Sequence, residues 1–315
     1  MALKYQDALL AELDALEDIN SFLRADAEFE HYTLADIIRV TPNSQVFHVK
    51  NGTRNLILKR FTQWDANLVV ERMMRDIPRS QQILEPTPAF RINTCISGRP
   101  DMGIVFLEYC DGKSIHDHLK KANEAKNKRL IRAAADWLKT FTEPRVIERQ
   151  FRPHYWIQKS EKLSTKGFNE ADRQLFDQAL DALRRWAPRV AGVPVRHSVI
   201  HGDFHAENLI FRRGITTAVD IQGDRYAPVA YDVAGFLFTL EKNSSKFMTQ
   251  DALTTLKNEF LTRVGISQQE QDTVLPFLMA ARLIRIFSKS SATLDRDNDK
   301  FVRMRKDLKK LISNH

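Results

Sequence analysis

Between residues 199 and 220 the chain reads as a β-loop-β hairpin whose loop is dense in reactive side chains. His201-Gly202-Asp203-Phe204-His205-Ala206-Glu207-Asn208 runs into the apolar Leu209-Ile210-Phe211. Arg212-Arg213-Gly214 then makes a turn, and Thr216-Thr217-Ala218-Val219 leads to Asp220. His201-Gly202-Asp203 by itself would be an ordinary turn, since Gly and Asp favour turns. The β-prone segment that follows, the second strand and an Asn five positions after Asp203 reverse that reading. A carboxylate, a carboxamide and a second carboxylate from one hairpin can accept a proton from a hydroxyl and hold a hard, oxygen-seeking cation.

The rest of the chain divides into two kinds of pattern. Leu9, Leu13, Leu16, Ile19 and Phe22/Leu23 recur at steps of three and four, which predicts an amphipathic opening helix. Residues 36–40, 45–49 and 55–61 read as strands, the last two joined across Asn51-Gly52, a strong hairpin signal. Helical spacing returns over 65–76. After Glu85-Pro86-Thr87-Pro88, two more strands are expected at 89–95 and 103–109. The sum is a small five-stranded antiparallel sheet with one main helix. Beyond Asp111-Gly112, helical periodicity covers 114–124, 127–142, 153–163, 170–187, 232–243, 248–263, 267–290 and 297–312, and the 199–220 hairpin is the one β interruption expected. The fold class is α+β, with a break near 110–113 separating a unit at 1–110 from one at 111–315.

Composition excludes several classes. No apolar run approaches the roughly 20 residues needed to span a bilayer. The start, Met1-Ala2-Leu3-Lys4-Tyr5-Gln6-Asp7, lacks the basic-then-apolar order of a secretory signal. Two cysteines, Cys95 and Cys110, make no disulfide framework, and a reducing cytoplasm is the expected compartment. The net charge of +8 is uneven: residues 1–36 hold nine acids and two bases, residues 282–310 ten bases and four acids. Asp295, Asp297, Asp299 and Asp307 break up that basic tail and no aromatic residues interleave as base-stacking would need, so nucleic acid is not an expected partner.

The order His-Gly-Asp-x-x-x-x-Asn…Asp, at 201–220, resembles the aminoglycoside phosphotransferase and choline kinase group, a branch of the protein-kinase-like fold. The resemblance implies a bilobal molecule, with a nucleotide-binding lobe at 1–110 and a helical lobe at 111–315. It also implies ATP and Mg2+ as cofactors and transfer of the γ-phosphate to an alcohol. Asp203 is then the catalytic base or hydroxyl-positioning group, and Asn208 and Asp220 the metal ligands. Lys59, alternating inward in Leu56-Ile57-Leu58-Lys59, would touch the α- and β-phosphates. Glu71, on the following helix, could hold that lysine or lie in solvent, with Asp65 and Asp76 as weaker substitutes. Asp232 corresponds to a structural aspartate that ties the catalytic loop from a helix start.

The turn expected to fold over the phosphates reads Thr41-Pro42-Asn43-Ser44-Gln45, without the glycines of protein kinases. Asn43 and Ser44 can offer N–H groups and a hydroxyl to phosphate, or simply form a β-turn. No G-x-x-x-x-G-K-[ST] is present, which excludes a P-loop enzyme. At the hinge, resemblance gives Leu107 to the adenine pocket, the Glu108 carbonyl to the adenine amino group and the Cys110 N–H to the ring. His201 packs beneath the loop; His205 faces either the ligand or the loop. Gln222 and Asp224 are candidate substrate contacts.

Helix resumes at Asp232, soon after Asp220, leaving no room for a peptide-docking activation segment, so a small-molecule alcohol is the expected acceptor. Arg282, Arg285 and Lys289 favour a neutral or anionic acceptor over a polycationic one. A macromolecular kinase and a non-catalytic nucleotide-binding protein are the alternatives.

Overall fold

Two-residue loops fold residues 33–61 into a meander: Pro42-Asn43 joins β1 (Thr33–Thr41) to β2 (Ser44–Asn51), and Gly52-Thr53 joins β2 to β3 (Arg54–Phe61). Gly52 takes φ +55°, the left-handed geometry such a turn requires. The computed structural model describes residues 2–221, 225–244, 246–291 and 298–314, so Gln222, Asp224, Asp295 and Asp297 lie outside the described residues. Chain contacts gather them into two compact units, Met1–Lys113 with Ile210–Gly223, and Ser114–Leu209 with Asp224–His315.

The first unit is built on an antiparallel sheet of order β1-β2-β3-β6-β5, with β5 at Cys95–Arg99 and β6 at Ile104–Glu108. Helix α1 (Ala2–Ala25) brings Ala15, Ile19, Phe22 and Leu23 into a core with Phe47, Val49, Leu58, Ile104 and Phe106. Leu13, expected on that apolar face, is exposed. Phe29 stacks on Phe106 with centroids 3.5 Å apart. Helix α2 (Ala66–Leu84) crosses β5 at Gly98, where an added Cβ would stand 2.4 Å from Met74 Sδ.

Residues 89–95 were expected as the fourth strand of this sheet; the fourth is β5 instead. Phe90–Ile92 forms a separate strand, β4, parallel to β11 (Ile215–Ala218) in a second sheet of order β4-β11-β10-β7, with β10 at Leu209–Arg212 and β7 at Lys113–Ser114. Asn93 and Thr94 part the two strands. The Asn93 N–H donates to the Ala218 carbonyl (3.2 Å), while the Thr94 carbonyl accepts from Glu108 N–H (2.8 Å).

The second unit is mostly helical: α3 (Ile115–Leu119), α4 (Glu124–Thr142), α5 (Pro153–Glu161), α6 (Glu170–Val190), α7 (Val229–Ser244), α8 (Gln250–Val264), α9 (Leu275–Ser291) and α10 (Asp299–Asn314). Asn123, Asn169 and Thr249 accept N–H bonds at the starts of α4, α6 and α8, as short polar caps do. A three-stranded sheet of order β12-β9-β8, from Arg225–Pro228, Pro194–Ile200 and Ile147–Gln150, adds β structure that the sequence reading did not anticipate. Trp137, Phe204, Phe236 and Phe260 form the aromatic core below the loop that follows β9, with Phe236 and Phe260 stacked at 4.2 Å.

Candidate active site

In the second unit, β9 delivers the chain into His201-Gly202-Asp203, and Gly202 turns it with φ +86°. Asp232, in the first turn of α7 and 1% exposed, accepts the N–H groups of His201 (2.7 Å) and Gly202 (3.0 Å). Burial pushes the Asp232 carboxyl up to about 7, against the opposing pull of those two N–H bonds and of Arg282. The Asp203 N–H donates to His201 Nδ1 (3.3 Å), and Asn208 Nδ2 donates to the Asp203 carbonyl (3.0 Å). The main chain of Asp203 is therefore held on both sides. His201 is fully buried against Trp137 and Phe204, the packing role expected of it.

The Asp203 side chain stays 37% exposed, so it can meet a ligand. His205 Nε2 stands 3.4 Å from its Oδ2, and an Arg282 guanidinium nitrogen 3.6 Å from its Oδ1. Burial works against charge on this carboxyl. His205, Arg282 and His201 outweigh it and hold the carboxyl well below the usual carboxylate range. Asp203 is accordingly ionised at neutral pH. Arg282 reaches it from α9 by passing Gly235 of α7, where an added Cβ would lie 2.9 Å from Arg282 Nη1 and 3.1 Å from the Phe204 carbonyl.

The first unit carries Lys59 and Asp220. Lys59, central in β3 and 7% exposed, forms a direct ion pair with Asp220 and lies 5.0 Å from the Phe61 ring centroid. Arg39 approaches the other Asp220 oxygen at 3.8 Å. Asp220 holds φ +63°, a left-handed backbone that is uncommon outside Gly and concentrates at functional sites. The expected helix partner of Lys59 is placed elsewhere: Glu71 is exposed on α2. The buried acid of that helix is Asp76, 1% exposed, whose carboxylate accepts from Arg75 Nε at 2.7 Å.

At the β1–β2 turn, Asn43 is exposed and Ser44 half-buried. The turn is closed from within: Ser44 N–H donates to Thr41 Oγ1 (3.1 Å), which donates to the Ser44 carbonyl (2.8 Å). The Asn43 carbonyl accepts from Thr62 N–H (3.2 Å). At the end of β6, the Glu108 carboxylate accepts from the Thr94 N–H (3.0 Å) and hydroxyl (2.9 Å), so its side chain is tied to the sheet. Cys110 is half-buried, and burial, aided by the charge of Glu108, pushes its thiol up to about 12. That thiol is an inert packing group.

The structure thus joins Lys59 to Asp220 and Asp203 to Asn208. Two placements could not be read from the sequence: Arg282 beside Asp203, and the burial of Asp76, the weaker alternative to Glu71. Arg282 was visible only as part of a basic stretch, and nothing local marks it as a neighbour of Asp203. Asp76 had the helical spacing, but its burial depends on packing against the sheet.

Comparison with known proteins places the fold and the family. The protein resembles the crystal structure of aminoglycoside phosphotransferase APH(4)-Ia, with a TM-score of 0.65 and 15% identity over 94% of this chain and 97% of that one. It also resembles amicoumacin kinase hAmiN in complex with AMP-PNP, Ca2+ and Ami (TM-score 0.60, 14% identity, 89% of this chain and 88% of that one). A choline/ethanolamine kinase family protein from Mesorhizobium loti is similar at a TM-score of 0.58, with 14% identity and 94% of both chains covered. These likenesses show the protein-kinase-like fold. No curated protein matches by sequence. The sequence pattern of the phosphotransferase enzyme family, APH, matches residues 41–259, and the chain belongs to that family.

Proposed function

We propose that the protein is a small-molecule kinase that transfers the γ-phosphate of ATP to an alcohol. The observation that carries this reading is the Asp203 loop. Its main chain is pinned by His201 and Asn208, its carboxylate is ionised and half-exposed, and Asp232 ties the loop to the start of α7. In the transfer, the acceptor oxygen bonds to the γ-phosphorus, the bond to the bridging oxygen of ADP breaks, and the hydroxyl proton leaves through Asp203 to solvent. A carboxylate held this far below its ordinary range is a weak base. Its main work is to orient the hydroxyl, and it receives the proton late. Lys59 supplies an ammonium group for the α- and β-phosphates.

By the chemistry of their oxygens, Asn208 and Asp220 are each suited to a hard divalent cation such as Mg2+. Asn208 uses its Nδ2 on the Asp203 carbonyl, which leaves its oxygen as the acceptor end, and Asp220 contributes an anionic oxygen. When bound, such an ion would neutralise charge on the phosphates.

A small acceptor is supported by the short path from Asp220 to α7. Eight residues separate Asp220 from Val229, and four of them form β12 against β9. No helix among the described residues is long and apolar enough to cross a membrane.

The test is phosphate transfer from γ-labelled ATP across a library of small alcohols, with Asp203→Ala and Asp220→Ala alongside. Label should enter a small molecule with the native protein and fall by at least about 10²-fold in either variant. Binding of MgATP with no transfer to any acceptor would defeat the proposal. Label entering only macromolecules of a cell extract would redirect it to a macromolecular kinase.

A further inference from the structure

Tyr231 sits beside Asp232 in α7 and gathers an aromatic and cationic cluster around itself. Trp156 of α5 stacks on it with centroids 5.0 Å apart. The Arg225 guanidinium of β12 lies 5.0 Å from its ring centroid, and Arg285 Nη1 donates to its hydroxyl at 3.3 Å. Arg285 and Arg282 are three positions apart on α9 and so share a helix face. Arg282 is the residue that touches Asp203. Next to Trp156, Tyr155 is 47% exposed and carries the Lys159 ammonium 4.7 Å from its ring. Burial raises the Tyr155 hydroxyl, but Lys159 and Arg225 together draw it below its ordinary value, which ties both cations to the same surface.

Among the described residues, the cations around Tyr231 and Arg282 outnumber the carboxylates that face them. Among the described residues the carboxylates acting on Arg282 are Asp203 and Asp232, and Asp232 is engaged by two main-chain N–H groups. Arg282 is 93% buried by the measure of its 7% exposure, yet its closest carboxylate oxygen is 3.6 Å away, beyond hydrogen-bond length. Its Nε is buried without a hydrogen-bond partner. A guanidinium removed from water without strong pairing is costly, and an additional anion would offset that cost. A cationic ligand would meet like charges instead.

We propose that Arg282, Arg285 and Arg225 form an anion subsite beside Asp203, and that the acceptor alcohol carries a carboxylate or phosphate group. Tyr231, backed by Trp156, positions Arg225 through its ring and Arg285 through its hydroxyl. This assignment rests on the phosphotransfer reading, since it identifies the anion as part of the acceptor.

Four probes on one three-carbon skeleton test it: glycerol, glycerate, glycerol 3-phosphate and the cationic amino-diol serinol. Binding is read by thermal shift without nucleotide at matched ionic strength, and ADP release is then measured with MgATP. Glycerate or glycerol 3-phosphate should bind at least about tenfold more tightly than glycerol, with serinol weakest. Preference for one anion tells a hydroxy acid acceptor from a phosphomonoester. Arg285→Gln and Arg225→Gln, both at half-buried positions, should each weaken the preferred anion about tenfold while melting cooperatively. Arg282→Met is the more severe companion. No binding of either anion, equal binding of glycerol, or unchanged binding in both Gln variants would overturn the subsite. Anion binding without any phosphotransfer overturns the catalytic reading, and with it the anion as acceptor. Phosphotransfer to glycerol or serinol with no anion preference overturns the subsite alone.

Discussion

Lys59 and Asp220, 161 positions apart in the chain, meet in a direct ion pair that links the third strand of the first sheet to the end of the hairpin at 209–220. The lysine is almost fully buried, while Asp220 keeps 22% of its side chain exposed. The carboxylate also sits on a left-handed backbone, which only a small set of residues adopts readily.

Charge and backbone at this position can be separated by substitution. Asp220→Ala leaves the ammonium unpaired and strains the backbone, and should lower stability by about 2 kcal/mol in urea unfolding. Asp220→Asn tolerates the same φ and should lose less, yet both variants should lack phosphotransfer. Arg39, half-exposed and 3.8 Å from Asp220, should change stability by no more than about 0.5 kcal/mol when replaced by Ala. Transfer at native rates in Asp220→Asn would contradict a role for its charge.

The acids of α2 should behave oppositely. Glu71→Gln alters an exposed side chain, and its unfolding free energy should stay within about 0.5 kcal/mol of the native protein. Asp76→Ala empties a buried, hydrogen-bonded position and should cost about 1–3 kcal/mol. Denaturant midpoints decide between them, and a larger loss in Glu71→Gln would restore that glutamate as the partner of Lys59.

Asp232 makes stability depend on pH. Its carboxyl is raised from 3.8 to about 7 in the folded protein, so the folded chain holds a proton that the unfolded chain releases. Its contribution is therefore complete below the unfolded value and is lost as pH rises through about 7. The thermal midpoint should fall between pH 5 and pH 8. Asp232→Asn should be less stable overall, because one main-chain N–H loses its acceptor, and should show a flatter profile over the same range. Parallel profiles for the two proteins would refute the assignment.

Gly235 makes room for Arg282. An alanine there would place its Cβ 2.9 Å from the guanidinium and 3.1 Å from a main-chain carbonyl that has little freedom to yield. Gly235→Ala should cost about 1–3 kcal/mol and, by shifting Arg282 away from Asp203, reduce kcat by about tenfold or more. Native kcat in a folded Gly235→Ala protein would show that Arg282 does not support the Asp203 loop.

Local spacing was enough to determine the Asp203–Asn208 loop, the strand to Asp220 and the inward alternation at Lys59, because each rests on a few consecutive residues whose turn and strand preferences agree. The same local rules predicted the helices of the second unit, since their apolar stripes repeat within one segment. Only tertiary structure decided which α2 acid is buried, because Glu71 and Asp76 lie on one helix and the sheet chooses the face it covers. It also decided that Phe90–Ile92 pairs with Ile215–Ala218, and that Arg282 comes to lie against Asp203. Those are contacts between distant segments, set by how whole surfaces pack, and no short stretch of sequence carries the information that selects them.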